Sequence, residues 1–196
     1  MVLSPLESAV GWLTGKRIVE EVGLGRIRIE PFGLDQVNPN SYDYRLAPLL
    51  RRLLPNSERG GIPCVDPANE MRYEDIEIPP DGYLMRVEDA YLGHTVEKFG
   101  SDHFASLCTG KSSVGRLFIK NHACAGLVDQ GFFGHITLEM TAKLPTVVYA
   151  GMRIGQMFWF ESVGECALYT GKYGEGKGNA AVPSRIHLDL QGGCDG

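Results

Sequence analysis

The chain has 196 residues, a formal net charge of -5, 43% hydrophobic and 22% charged residues. Those proportions exclude intrinsic disorder and leave room for one domain with a sizeable core, spanning 1–196, but not comfortably for two. The acidic balance argues against a protein that coats nucleic acid, an affinity that rests on Lys and Arg neutralising phosphates. No apolar run of membrane-spanning length and no basic leader followed by an apolar run is present, so a soluble, cytoplasmic protein with no membrane partner is expected. The five cysteines are odd in number, and no two are spaced as CxxC. A disulfide framework and a structural zinc site are therefore not expected.

Ser4-Pro5-Leu6-Glu7 has the pattern of a helix start, and Leu6, Val10 and Leu13 recur at helical spacing as far as Gly15. The pattern then changes to alternation. Arg26 to Glu30 and Tyr42 to Leu46 have a period of two and predict strands. Between them and the next clear alternation, residues 47–75 mix "LAPLLRRLL" with a stretch rich in Pro, Gly and Asn, read as a long surface excursion. From Ile76 to Phe160 short apolar or alternating runs are broken by frequent turn signals, which predicts an all-β barrel or sandwich. The Gly-rich segment from Tyr169 to Asn179 predicts a mobile arm, with "PSRIHLDL" as a docking segment behind it. There is no internal repeat.

Polar residues concentrate between Gly110 and Met140. Gly110-Lys111-Ser112-Ser113, followed by Arg116, combines a permissive backbone with hydroxyls and cations, suited to phosphates or simply to a turn at a strand end. Asp129 can accept a sugar hydroxyl, orient a water or cap a turn. In the run from His135 to Met140, a period of two puts His135, Thr137 and Glu139 on one face. A carboxylate held there is either a solvated surface group or, partly desolvated, a proton relay. His122 reads as a packed histidine rather than a metal ligand. The zinc-deaminase pattern H-x-E followed by P-C-x-x-C is absent, so any deamination by this chain would proceed without zinc.

Five blocks in order resemble the dCTP deaminase family, relatives of the trimeric dUTPases. "PNSYDYRL" (Pro39 to Leu46) is similar to the family's Pro-x-Ser-Tyr-Asp-x-Arg-Leu strand, and "GKSSVGRLFI" to its Gly-Arg-Ser-Ser-x-x-Arg-Leu loop. "HACAGLVDQGFFGHITLE" (His122 to Glu139) resembles the family core, and "AGMRIGQM" and "GKYGEGKG...PSRIHLD" follow. Lys111 stands where the family usually has Arg, Cys124 where it has Thr, and the arm lacks the Gln that often reads the base.

The resemblance implies a dUTPase-like distorted β-barrel or jelly roll with a short N-terminal helix, assembled as a homotrimer with active sites between subunits. It implies dCTP or dUTP as substrate and Mg²⁺ carried on the triphosphate. Glu139 is implied as general acid/base, with Ser112 and the Ala123 carbonyl positioning the water and Arg116 steadying the carboxylate. Asp129 is implied for the 3′-hydroxyl, Phe132 for the deoxyribose, Gln156 for the strand lining the site, and Lys111, Ser113, Lys172 and Tyr173 for the phosphates. Deamination to dUTP and ammonia is the expected reaction, with hydrolysis to dUMP and pyrophosphate coupled to it if Ala125-Gly126 leaves room for a second water. A dUTP diphosphatase without deamination and a non-catalytic dNTP-binding regulator are the alternatives.

Overall fold

Thr14 starts the first helix, α1 (Gly15–Gly23), of the computed structural model, which describes residues 11–123, 125–173 and 181–191. Its hydroxyl accepts a hydrogen bond from the Arg17 N–H at 3.3 Å, satisfying one of the donors that a helix start leaves free. The helix begins where the sequence pattern placed a stop. Gly15 is not a C-cap: a Cβ there would lie 2.0 Å from the Asn38 carbonyl oxygen, so glycine is required by close packing of the helix start. Residues 11–14 are not helical, and positions 4–10 of the expected helix lie outside the described residues. Ile18 and Glu21 are completely buried, and the Glu21 carboxylate is forked by the Arg26 guanidinium at 2.5 and 2.7 Å.

Fifteen strands follow: β1 (Arg28–Glu30), β2 (Val37–Asn38), β3 (Ser41–Arg45), β4 (Leu49–Leu54), β5 (Ser57–Arg59), β6 (Ile62–Cys64), β7 (Arg72–Glu77), β8 (Tyr83–Met85), β9 (Tyr91–Gly100), β10 (Ala105–Gly110), β11 (Ile119–Lys120), β12 (Leu127–Val128), β13 (Phe133–Ala142), β14 (Thr146–Val148) and β15 (Arg153–Phe160). Short helices α2 (Ser112–Gly115) and α3 (Ile186–Gln191) complete the described chain. One large sheet runs β11-β13-β9-β4-β7, with β1 also on β9, a second runs β12-β10-β15-β3-β2, and β14-β8 and β5-β6 form two-stranded sheets. Every strand pairing is antiparallel. The expected all-β fold is thus what the chain adopts.

The sheets meet through large side chains. Phe99 of β9 contacts Tyr44 of β3 and Trp159 of β15, with ring centroids 6.5 and 6.2 Å apart, and all three residues are fully buried. Burying such rings is the main stabilising term of the core. Charge is buried only where it is paired: the inaccessible Glu97 carboxylate accepts from Arg45 Nε at 2.6 Å and Gln36 Nε2 at 2.8 Å, tying β9 to β3.

The stretch 47–75 is not all surface excursion. "LLRRLL" forms β4, paired in register with β7 and, at its central Arg51 and Arg52, with β9, and its Leu50 is fully buried. Its arginines hid the strand because they face acidic partners across the ladder, Arg51 on Asp75 and Arg52 on Glu74. Only the β5–β6 hairpin and the residues after it leave the sheet. Residues 174–179 of the segment expected to be a mobile arm lie outside the described residues, as do 180 and 192–196. Ala181 is buried and its carbonyl accepts from Arg51 Nη1 at 2.9 Å, and the Val182 N–H donates to Thr137 Oγ1 at 3.1 Å. Ala181 and Val182, just ahead of the expected docking segment, therefore lie against β4 and β13.

Cys108 is 2% exposed and donates to the Tyr44 hydroxyl, and burial pushes its thiol up from about 9 to about 12. Only on the order of one thiol in ten thousand is then ionised at pH 8. Peptide mapping after alkylation should find Cys166 labelled in the native protein and Cys108 labelled only in denaturant. The raised value also means that folding favours the protonated thiol. This contribution is complete below about pH 9 and is lost as pH rises toward 12.

Candidate active site

β13 supplies the site. Gly134, Ile136, Leu138, Met140 and Ala142 are buried, and the residues between them are partly open, as the sequence alternation predicts. The register is held by close contacts: a Cβ on Gly93 would meet Met140 Sδ at 2.8 Å, and one on Gly100 would lie 2.1 Å from the Phe132 carbonyl oxygen. Over the open face lies a cavity of about 450 Å³. His135, Thr137 and Glu139 line it from the strand, Asp129 and Phe132 from the preceding loop, and Tyr73 from β7. Tyr169, Tyr173 and residues 182–184 of the C-terminal part of the same chain line it as well.

Glu139 is held at its place by the loop before β12. The Ala123 N–H donates to Glu139 Oε2 at 2.9 Å, and His122 Nδ1 lies 3.4 Å from the same oxygen. The carboxylate is 35% exposed, whereas the His122 side chain is only 10% exposed. Neither ring nitrogen of His122 has a hydrogen-bond partner among the described residues. An ionisable ring buried beside a half-open carboxylate is the one costly polar feature of the pocket, and such costs gather at functional sites. Gly126 makes room for that ring: a Cβ there would lie 2.7 Å from the Cys108 carbonyl oxygen and 3.2 Å from the imidazole. The side of Gly126 that a Cβ would occupy is thus packed against His122 and the β10 backbone, and of the Ala125-Gly126 pair it is Ala125 that lines the pocket.

The structure brings Glu139, Asp129, Phe132 and Tyr173 to one pocket. Lys172, beside Tyr173, is ion-paired with Asp189 of α3. Ala123 does not line the pocket; its amide is spent on Glu139, and Ala125 is the alanine of this loop that faces the cavity. Gln156 also lies elsewhere, on β15 opposite Thr109 and Asp43, where its side-chain oxygen accepts from the Ser41 hydroxyl at 3.1 Å.

Lys111 is not a free phosphate-binding cation. Its ammonium is bound by Asp43, whose side chain is 2% exposed and also accepts from Asn38 Nδ2 at 2.7 Å. Ser112 and Ser113 open α2 and are exposed, as is Arg116, whose guanidinium donates to the Ser112 carbonyl at 2.9 Å. None of these residues lines the Glu139 pocket. Beside them Leu117 and Phe118 are 54% and 65% exposed, and Phe118 has a positive φ of 55°. The Phe118 carbonyl accepts from the N–H of Lys143, next to Leu144, which is 65% exposed.

Sequence reasoning read His122 as a packed histidine and gave no site role to His135, Tyr73 or Tyr169, all of which line the pocket. His122 opens the block that carries the resemblance and His135 shares the Glu139 face of the alternation, so both were within reach; Tyr73 comes to the pocket only through the β4–β7 pairing. Among the described residues no group of three His, Cys, Asp or Glu side chains is placed to hold a metal ion, and no helix is long and apolar enough to cross a membrane.

Two sheets closing on a core, with a carboxylate carried on one strand over a side pocket, define the class of fold. Its likeness among solved structures is to a 2′-deoxycytidine 5′-triphosphate deaminase from Agrobacterium tumefaciens, with a TM-score of 0.60 at 21% identity, over 78% of this chain and 47% of that one. This chain thus spans about half the length of that protein. The dCTP deaminase-like family profile matches residues 12–162. Among curated relatives, the dUMP-forming dCTP deaminase of Corynebacterium jeikeium is 36% identical over 91% of this chain and 98% of its own length. That of Clostridium acetobutylicum is 34% identical over the same shares. The chain belongs to the dCTP deaminase-like family.

Proposed function

We propose that the chain deaminates dCTP hydrolytically and cleaves the resulting triphosphate, giving dUMP, ammonia and pyrophosphate. The observation that carries this reading is Glu139: a carboxylate on a doubly paired strand, fixed by the Ala123 amide and open to the same pocket as Asp129. The dUMP-forming activity in the names of the relatives supports the coupled form.

In the deamination, Glu139 takes a proton from a water that attacks C4 of cytosine. The proton passes to N3, a second transfer converts the amine into a leaving group, and loss of ammonia restores the carbonyl of uracil. Asp129 accepts the 3′-hydroxyl and Phe132 packs on the deoxyribose. In the hydrolysis, a water adds to the α-phosphorus and pyrophosphate leaves. Mg²⁺ would be carried by the substrate triphosphate, where it would offset the phosphate charge, as it usually does with nucleotides.

Ser112, Ser113 and Arg116 complete the site from a second copy of the chain. Their exposure away from the chain's own pocket, next to the uncovered Leu117, Phe118 and Leu144, is what supports a homotrimer with intersubunit sites. Incubation with Mg²⁺ and either dCTP or dUTP, with ammonia, pyrophosphate and nucleotides quantified, tests the proposal. Ammonia, pyrophosphate and dUMP from dCTP are expected. Accumulating dUTP without pyrophosphate would reduce the activity to deamination alone, and pyrophosphate from dUTP with no ammonia from dCTP would overturn it in favour of a diphosphatase.

A further inference from the structure

At the rim of the pocket the ring of Tyr173 is flanked by two cations, the Lys172 ammonium 5.7 Å and the Arg185 guanidinium 6.0 Å from its centroid. Arg185 Nη1 donates to the Lys172 carbonyl at 2.6 Å, and its N–H donates to the Tyr173 hydroxyl at 3.1 Å, so the two cationic residues form one unit. Arg185 has no carboxylate partner among the described residues, but Lys172 has one: Asp189, seventeen positions further along the chain.

We propose that Asp189 is an internal competitor of the substrate's triphosphate for Lys172, a resident counter-ion that the nucleotide must displace. The inference rests on the reading of this pocket as a nucleotide site. Lys172 and Asp189 are 35% and 60% exposed, and ion pairs in that setting are weak and readily exchanged. What keeps Asp189 in place is its covalent connection and the Arg185 contacts, which hold it near Lys172 at a high effective concentration. A triphosphate brings several charges to the two cations and displaces it. A product with fewer charges competes poorly, so the return of Asp189 favours release. Asp189 is a positioning residue in this scheme, since it acts through Lys172 and touches no reacting atom.

Asp189→Asn keeps the side-chain shape and removes the charge. Calorimetric titration with inorganic tripolyphosphate and Mg²⁺ should show about two- to fivefold tighter binding than the parent chain, and the KM for dCTP should fall by the same factor with little change in kcat. In a Lys172→Gln background the same substitution should give no gain. Unchanged or weaker tripolyphosphate binding, or a gain that persists without Lys172, would overturn the proposal. A parent chain inactive on dCTP, but with the tripolyphosphate gain and its dependence on Lys172 intact, would strike the substrate assignment and leave the role of Asp189 standing.

Discussion

Glu139→Gln is expected to lower ammonia release from dCTP by at least about a thousandfold, the range in which loss of a positioned acid/base group falls. The amide keeps the length of the side chain and an oxygen that can still accept from the Ala123 N–H, the one direct hydrogen bond to the carboxylate among the described residues. What it cannot do is take a proton from water and return it to the base. Because the substitution sits on the open face of β13, its effect on folding should stay within about 0.5 kcal/mol. Any cleavage of dUTP to dUMP and pyrophosphate should be spared, since it makes no use of a proton relay at C4. Parallel ammonia and pyrophosphate assays on the purified variant decide the matter. Ammonia release near the parent rate would remove Glu139 from the mechanism, and with it the observation on which the functional reading stands.

The second large effect is expected where the resemblance implied binding and the structure shows a support. Lys111→Met should cost about 3 kcal/mol of stability, because it leaves the buried Asp43 carboxylate with Asn38 as its remaining side-chain partner. Denaturant titration would read this as a lower midpoint with an unchanged slope. Removing both charges, as Lys111→Met with Asp43→Asn, should recover part of the loss, since the penalty comes from the unpaired charge rather than from the absent contact. A Lys111→Met protein as stable as the parent but with a raised KM for dCTP would return Lys111 to the phosphates.

Legibility in the sequence tracked how local the determining physics is. The strand carrying Glu139 was readable because one face is buried along its whole length, which forces a period of two on His135 to Met140. The β4 strand was not, because Arg51 and Arg52 break the apolar pattern and become compatible with a sheet only when Asp75 and Glu74 stand opposite, more than twenty positions away. Gly15 reads as a helix stop until Asn38 is seen packed against it, at which point its smallness explains a helix start instead. At the site, Glu139, Asp129 and Phe132 were legible from the ordered motif blocks. The fate of Lys111 depended on a partner sixty-eight positions distant in another block, and no spacing rule connects Lys111 to Asp43.

The glycines against β13 have a consequence for how errors in synthesis or mutation show themselves. A slip of that strand by one position would turn Glu139 into the core and Leu138 and Met140 out of it, and would undo the close packing of Gly93 on Met140 and of Gly100 on the Phe132 backbone. A misregistered yet stable population is thereby forbidden. A register error in this strand is therefore expressed as loss of folded protein, whereas a substitution on its open face, such as Glu139→Gln, leaves the fold in place and removes the chemistry.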